Sequence, residues 1–253
     1  MQAVQDALIR ALTWAFVGGL FGAIFVVSRA LLADLQPPAL QQGLAAVIAT
    51  ALGALLYGSM RLTVIVAVCA LSTMALAALL AAAPLALPQL LLIGGLSGVL
   101  VGGFYGHLDH HSGVRRADAK LLAGLSAGVL GGASVLVPLQ LLAVEVPDVL
   151  LTALLAPLCG LLYVGMALGF VRRFSHVLAP AGDGVLVGAG AGAVVAVLFW
   201  LMRDSMARWP EAALHPVLAG GDGQWLYATA SAAAAAALVG VARAILRLRW
   251  YNL

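Results

Sequence analysis

The stretch Gly94–Gly132 decides the fold class, because two apolar segments with regularly spaced glycines flank one short polar loop. The first segment reads Gly94-Gly-Leu-Ser-Gly-Val-Leu-Val-Gly-Gly-Phe-Tyr-Gly106, and the second reads Gly124-Leu-Ser-Ala-Gly-Val-Leu-Gly-Gly132. Glycines four residues apart share one face of a helix, where they permit the close contact on which helix association in lipid depends. We interpret these stripes, with those at 18–22 and 184–192, as packing faces of the glycine-zipper kind. The alternative is that they let helices slide or line a narrow path.

The composition indicates that lipid, rather than water, surrounds most of the chain. Of the 253 residues, 64% are hydrophobic and 9% are charged, and the mean hydropathy is +1.09. A soluble domain carries about 25% charged residues. The net charge of +3 fits contact with lipid head groups, so membrane lipids, and no nucleic acid, are the expected partners. The bias toward Ala, Leu, Gly, Val and Arg is typical of a GC-rich bacterial genome and favours a bacterial inner membrane.

Eight apolar runs are long enough to cross a bilayer, which takes about 20 helical residues. Ten of the thirteen Lys and Arg residues fall on one side of these runs, so the positive-inside rule places both termini in the cytoplasm. The predicted fold is all-α, a single integral membrane domain over residues 1–253 with about eight transmembrane helices. The runs cover residues 11–33, 39–59, 62–83, 88–106, 120–144, 149–171, 181–202 and 225–246.

The two halves of the chain resemble each other, which predicts a 4+4 internal duplication. The segment Leu31-Leu-Ala-Asp-Leu-Gln-Pro-Pro-Ala-Leu40 aligns with Leu141-Leu-Ala-Val-Glu-Val-Pro-Asp-Val-Leu150. The pseudo-repeats would span about 11–106 and 120–246, joined by the polar loop 107–119. Such repeats are a common plan among transporters.

The same glycine and proline pattern resembles the TauE/SafE-type sulfite and organosulfonate exporter permeases. The resemblance rests on Gly124–Gly132 with Pro138 and Pro147, and on Gly19–Gly22 with the prolines at 37–38. It implies an eight-span permease with a duplicated architecture. The sequence departs from that family in its triple glycine, which is reduced here to two residues in the second half and lost in the first. No binding residue is carried over from the family.

Neutral polar residues in the spans are the candidates for contact with a solute. Hydroxyl and amide groups bind a small anion or a polar molecule without a fixed charge, although they also join helices to one another. The candidates are Ser126, Ser134, Gln140, Gln41 and Gln42. The sequence contains no His-Glu-x-x-His motif, Walker A loop, dinucleotide fingerprint or Cys-x-x-Cys pair. No enzymatic activity and no cofactor are therefore predicted.

The polar loop 107–119 contains three histidines, His107, His110 and His111, at spacings that place them on one face of a helix. They would bind a transition metal, form a pH-sensitive contact, or remain plain solvated residues. This loop and the segment 203–224 are also the expected contact regions for partner subunits. For 203–224 the alternatives are an ordered interfacial loop, an interfacial helix, a gate and a docking surface.

Charged side chains are rare in the predicted spans. Arg29 is the deepest, near the end of the first span, and is expected to snorkel to the interface. Asp118 and Asp183 lie at predicted helix starts, where the helix dipole favours a carboxylate. No predicted span carries a charge at its centre, which speaks against a proton pump built on a central buried carboxylate.

Two functions remain open at this point. The first is a bacterial inner-membrane permease for a small anionic or neutral solute, indicated by the duplication and the glycine stripes. The second is a non-catalytic membrane subunit that anchors or stabilises a larger complex, indicated by the scarcity of charge in the spans and by the polar segment 203–224.

Overall fold

The computed structural model describes residues 2–81, 83–108, 116–173, 180–212 and 224–245, and these residues form eight helices and no strand. Each helix is long and apolar enough to cross a membrane, so the chain has the character of a multi-pass membrane protein. The helices are α1 (Gln2–Leu31), α2 (Pro38–Tyr57), α3 (Met60–Leu80), α4 (Leu87–Leu108), α5 (Ala117–Leu141), α6 (Asp148–Arg173), α7 (Pro180–Ala212) and α8 (Gln224–Ile245).

The prolines mark helix starts as the sequence predicts. Pro38 and Pro180 are the first residues of α2 and α7, and Pro147 directly precedes α6. Proline suits the first turn because the amide that it lacks has no partner within the helix there.

Two helix ends differ clearly from the predicted runs. Helix α1 begins at Gln2 rather than near residue 11, and α7 continues to Ala212 rather than ending near 202. Both extensions contain polar residues. Hydropathy detects only the apolar part of a helix, whereas the helix itself can continue through polar residues. The interfacial loop predicted from residue 203 is therefore wrong for 203–212, and 213–223 lie outside the described residues.

The helices divide into two compact units. In the first unit, which contains α1, α6, α8 and most of α2 and α5, α1 packs antiparallel against α8. Gly18 of α1 lies against Ala232, and Gly22 lies against Ala228. Helix α5 approaches α2 in the same way, because a Cβ atom at Gly124 would lie 2.9 Å from the Thr50 carbonyl oxygen. Small residues therefore bring these helix backbones together.

The second unit contains α3, α4, α7 and the first turn of α5. Here α4 and α7 meet glycine to glycine and run antiparallel, in the pairs Gly94 with Gly192, Gly98 with Gly188, and Gly102 with Gly184. Helix α3 packs against both helices. An apolar cluster around the buried side chains of Met74, Leu90 and Ala196 completes the unit.

Helix directions within each unit agree with a chain that crosses a bilayer at every helix. In the first unit, the end of α1 meets the starts of α2 and α6. In the second unit, α3 and α7 begin at the end where α4 finishes. The cytoplasmic location of both termini stays a prediction, as does the 4+4 internal duplication.

Candidate functional site

Buried polar side chains gather at two places, one in each unit. In the second unit, the buried polar side chains lie at the end where α3, α5 and α7 begin, and two of them are charged. We call these four residues the lysine cluster: Ser59, Thr63, Lys120 and Asp183.

Asp183 lies in the first turn of α7 and is only 2% exposed. Its two carboxylate oxygens accept hydrogen bonds from the backbone N–H groups of Arg116 and Ala117, both at 3.1 Å. These amides start α5 and have no acceptor within their own helix. Asp183 therefore caps a neighbouring helix and also lies in the first turn of its own helix, where the sequence predicts it. Arg116 has a left-handed φ of 64°, a costly conformation that this hydrogen bond helps to hold.

Lys120 lies one turn further along α5 and is 6% exposed. Its ammonium donates a hydrogen bond of 2.6 Å to the carbonyl oxygen of Gly58, in the turn between α2 and α3. It also lies within electrostatic range of the Asp183 carboxylate. The chain contains a single lysine, and the structure buries it inside a candidate membrane span.

The turn between α2 and α3 supplies the hydroxyl groups of the cluster. Thr63 donates to the carbonyl oxygens of Leu56 at 3.0 Å and Ser59 at 3.1 Å, which ties the end of α2 to the start of α3. Ser59 is the N-cap residue of α3 and is buried, but its side chain makes no capping hydrogen bond. Its Oγ has no hydrogen-bond partner among the residues that the structure describes.

Charged groups buried in a membrane span are costly, and their usual reason is function. The lysine cluster contains an ammonium, a carboxylate and two hydroxyls, all on buried side chains at helix starts. A carboxylate held by two backbone amides has a fixed place, whereas an ammonium on a flexible four-carbon stem can exchange one oxygen ligand for another. The cluster is therefore suited to binding a polar or anionic group.

The second group of polar residues lies in the first unit, where α1 ends and α2, α6 and α8 begin. Arg29 forms an ion pair with Asp148, and its carbonyl oxygen accepts a hydrogen bond of 2.8 Å from Gln41. Arg29 is therefore paired with a carboxylate, a contact that the sequence does not predict. One turn into α6, Thr152 and Ser231 of α8 share a hydrogen bond of 3.1 Å.

We assign the contact between Thr152 and Ser231 to helix packing. The two hydroxyls lie 2.8 to 3.2 Å from the carbonyl oxygens of Val149 and Ala228 as well as from each other. These are ordinary hydrogen-bond distances, so the group forms a hydrogen-bonded joint between α6 and α8.

The five predicted solute contacts all lie in the first unit. Gln41 is buried and bonded to the Arg29 carbonyl, and Ser134 donates to the Gly131 carbonyl of its own helix. Gln42 and Ser126 are half-buried, and Gln140 is exposed at the end of α5. Their role in solute binding stays a prediction.

The predicted metal and partner residues fall partly outside the described residues. His107 is exposed in the last turn of α4, and His110 and His111 lie outside the part of the chain that the structure describes. No group of three His, Cys, Asp or Glu side chains suited to a metal ion occurs among the described residues. The predicted loop 107–119 is shorter than expected, because α4 continues to Leu108 and α5 begins at Ala117.

One signal in the sequence could have pointed to Lys120. Every other basic side chain among the thirteen is an arginine, and arginine would have satisfied the positive-inside rule equally well. The contacts of Lys120 were not foreseeable, because Gly58 and Asp183 each lie more than sixty residues away in the chain.

In comparisons with protein-family models, curated proteins and solved structures, the chain matches none of them. The resemblance to the sulfite and organosulfonate exporters therefore stays a prediction.

Proposed function

We propose that this protein is a permease of the bacterial inner membrane for a small anionic or neutral solute. The observation that carries the proposal is the burial of Lys120 and Asp183 within membrane spans of the second unit. A protein that only needs to be held in a bilayer can join its helices through neutral groups, whereas a permease needs polar groups that can exchange partners with a solute.

The surroundings of Lys120 support this assignment. Its ammonium donates a hydrogen bond to a neutral carbonyl, that of Gly58, while both oxygens of Asp183 accept backbone amides. A buried ammonium attracts an anion or the negative end of a dipole. The resemblance to anion exporters agrees with this reading.

Uptake and efflux in proteoliposomes test the proposal. The panel contains sulfite, sulfate, taurine, acetate and glycine, so that charge and size vary separately. Wild-type protein should move at least one of these solutes, and Lys120→Met should lower the initial rate at least tenfold. Arg172→Met is the matched control, because it removes a positive charge that is exposed near the end of α6. Absence of flux for every solute would overturn the permease.

A second function, a non-catalytic subunit that anchors or stabilises a larger complex, is favoured by the length of α7. Its 33 residues extend about 50 Å, against a hydrocarbon core of about 30 Å. The apolar part ends at Arg203, and the remaining turns contain Asp204, Arg208 and Glu211. A charged helical extension of this kind is suited to contact with another protein.

Purification in a mild detergent separates the two functions. A partner that copurifies in stoichiometric amount, and that is lost when 204–212 is replaced by a Gly/Ser sequence of equal length, would favour the subunit. A protein that purifies alone and supports flux would favour the permease.

A further inference from the structure

We propose that Ser59, the first turn of α3 and the ammonium of Lys120 form a binding site for a small oxyanion. The inference rests on the proposed permease and deepens it, because it assigns a charge to the solute and a place where that charge is bound.

The first argument concerns the hydroxyl of Ser59. Its side chain is 3% exposed, and its Oγ has no hydrogen-bond partner among the described residues. Buried hydroxyls are nearly always satisfied, since an unsatisfied one forgoes its bonds to water without replacement. A serine at an N-cap ordinarily accepts an amide hydrogen of the first turn, but Ser59 does not. A hydroxyl in this position with no partner among the described residues is a candidate donor to a ligand.

The second argument concerns the amides that follow Ser59. The N–H groups of residues 60–62 begin α3 and have no carbonyl within that helix to accept them. The first intrahelical bond of this end runs from Thr63 to the Ser59 carbonyl, at 3.0 Å. These N–H groups point away from the start of α3, where the helix dipole also favours negative charge. Together with the Ser59 hydroxyl, they provide several hydrogen-bond donors for an anion.

The third argument concerns Lys120, which brings a full positive charge to this helix start. Its Nζ lies 2.6 Å from the carbonyl oxygen of Gly58, the residue directly before Ser59. The neighbouring carboxylate, Asp183, is directed to the start of α5 rather than to α3. The start of α3 therefore combines a hydroxyl, backbone amides and an ammonium. An oxyanion can accept from all three, whereas a cation would meet the ammonium as a like charge.

Burial limits the size of the ligand. Gly58, Ser59, Leu62 and Lys120 are all buried, which favours an ion of a few atoms over a large organic anion. A phosphate head group of a lipid has the same chemistry as free sulfate or phosphate, so the experiment must distinguish these sources.

Equilibrium binding of radiolabelled sulfate, phosphate and acetate to the purified full-length protein in detergent tests the site without requiring transport. Wild-type protein should bind at least one of the three in a saturable manner. Lys120→Met should abolish binding, and Ser59→Ala should weaken it about tenfold, as expected for loss of one hydrogen bond to a charged group. Arg172→Met and Ser72→Ala, which alter exposed residues outside the proposed site, should change the affinity less than twofold.

The outcomes separate the site from the permease. Saturable binding that Lys120→Met abolishes supports the site even if no flux is found, which would overturn the permease alone. Flux in a wild-type protein that binds none of the three anions would overturn the site alone, as would unchanged affinity in Lys120→Met. Phospholipid that copurifies with wild-type protein, is displaced by sulfate and is lost from Lys120→Met would assign the site to a head group. If Lys120→Met does not fold, Ser59→Ala decides the question.

Discussion

Two adjacent glycines of α4, Gly94 and Gly95, give the sharpest test of the packing between α4 and α7. A Cβ atom added at Gly94 would lie 2.5 Å from the carbonyl oxygen of Gly192, which is 0.9 Å short of the 3.4 Å at which ordinary van der Waals contact begins. A Cβ atom at Gly95 would have nothing within 4 Å. The two positions therefore differ in contact although they are neighbours in one helix.

The structure sets the size of the difference. Gly94→Ala must move α4 and α7 apart by close to 1 Å, and a gap of about 0.5–1 Å forfeits about a quarter to a half of the dispersion energy between the facing atoms. Overpacking of this kind typically costs about 1–3 kcal/mol, so we expect a loss of about 2 kcal/mol. Gly95→Ala should be neutral or stabilising by up to about 1 kcal/mol, because alanine is the better helix former.

The assay is reversible unfolding in mixed micelles, followed by circular dichroism as the fraction of SDS rises. Gly94→Ala should lower the free energy of unfolding relative to wild type, and Gly95→Ala should not. Equal values for the two variants would refute the inference that glycine contact holds α4 against α7.

Four further predictions use the same unfolding assay or a labelling experiment. Asp183→Asn should destabilise the protein by about 1–3 kcal/mol, because the amide has one acceptor oxygen in place of the two that bind the start of α5; no change would mean that the cap is dispensable. Arg29→Met should cost about 1–2 kcal/mol by leaving Asp148 unpaired, and the added change Asp148→Asn should recover part of that loss; if the two effects simply add, the pair is not coupled. Thr152→Val should cost about 1 kcal/mol through its hydrogen bonds to α8, and an effect below 0.3 kcal/mol would contradict that estimate. Membrane-impermeant labelling of tags at the two termini should modify both only from the cytoplasmic side, and labelling of the termini on opposite sides would refute the predicted topology.

The fold was largely predictable because one physical requirement dominates it. A helix that crosses hydrocarbon must be apolar over about 20 residues, so hydropathy alone locates it. The requirement does not apply outside the hydrocarbon, which is why the start of α1 at Gln2 and the end of α7 at Ala212 were missed.

The candidate site was not predictable for a different reason. Lys120 and Asp183 each lie at a helix start, where the sequence explains them as a marker of topology and a partner of the helix dipole. Only the fold shows that both side chains are buried and that Asp183 caps the start of α5. The pairing of Arg29 with Asp148 spans 119 residues, and no local pattern specifies a contact over that distance.

The most direct test of a functional Lys120 is the initial rate of solute entry into proteoliposomes that contain equal amounts of folded wild-type protein, Lys120→Met or Arg172→Met. Wild-type protein and Arg172→Met should transport a small solute at similar rates, and Lys120→Met should be slower by at least tenfold. Equal rates in all three preparations would contradict the account, because the buried ammonium would then have no part in transport.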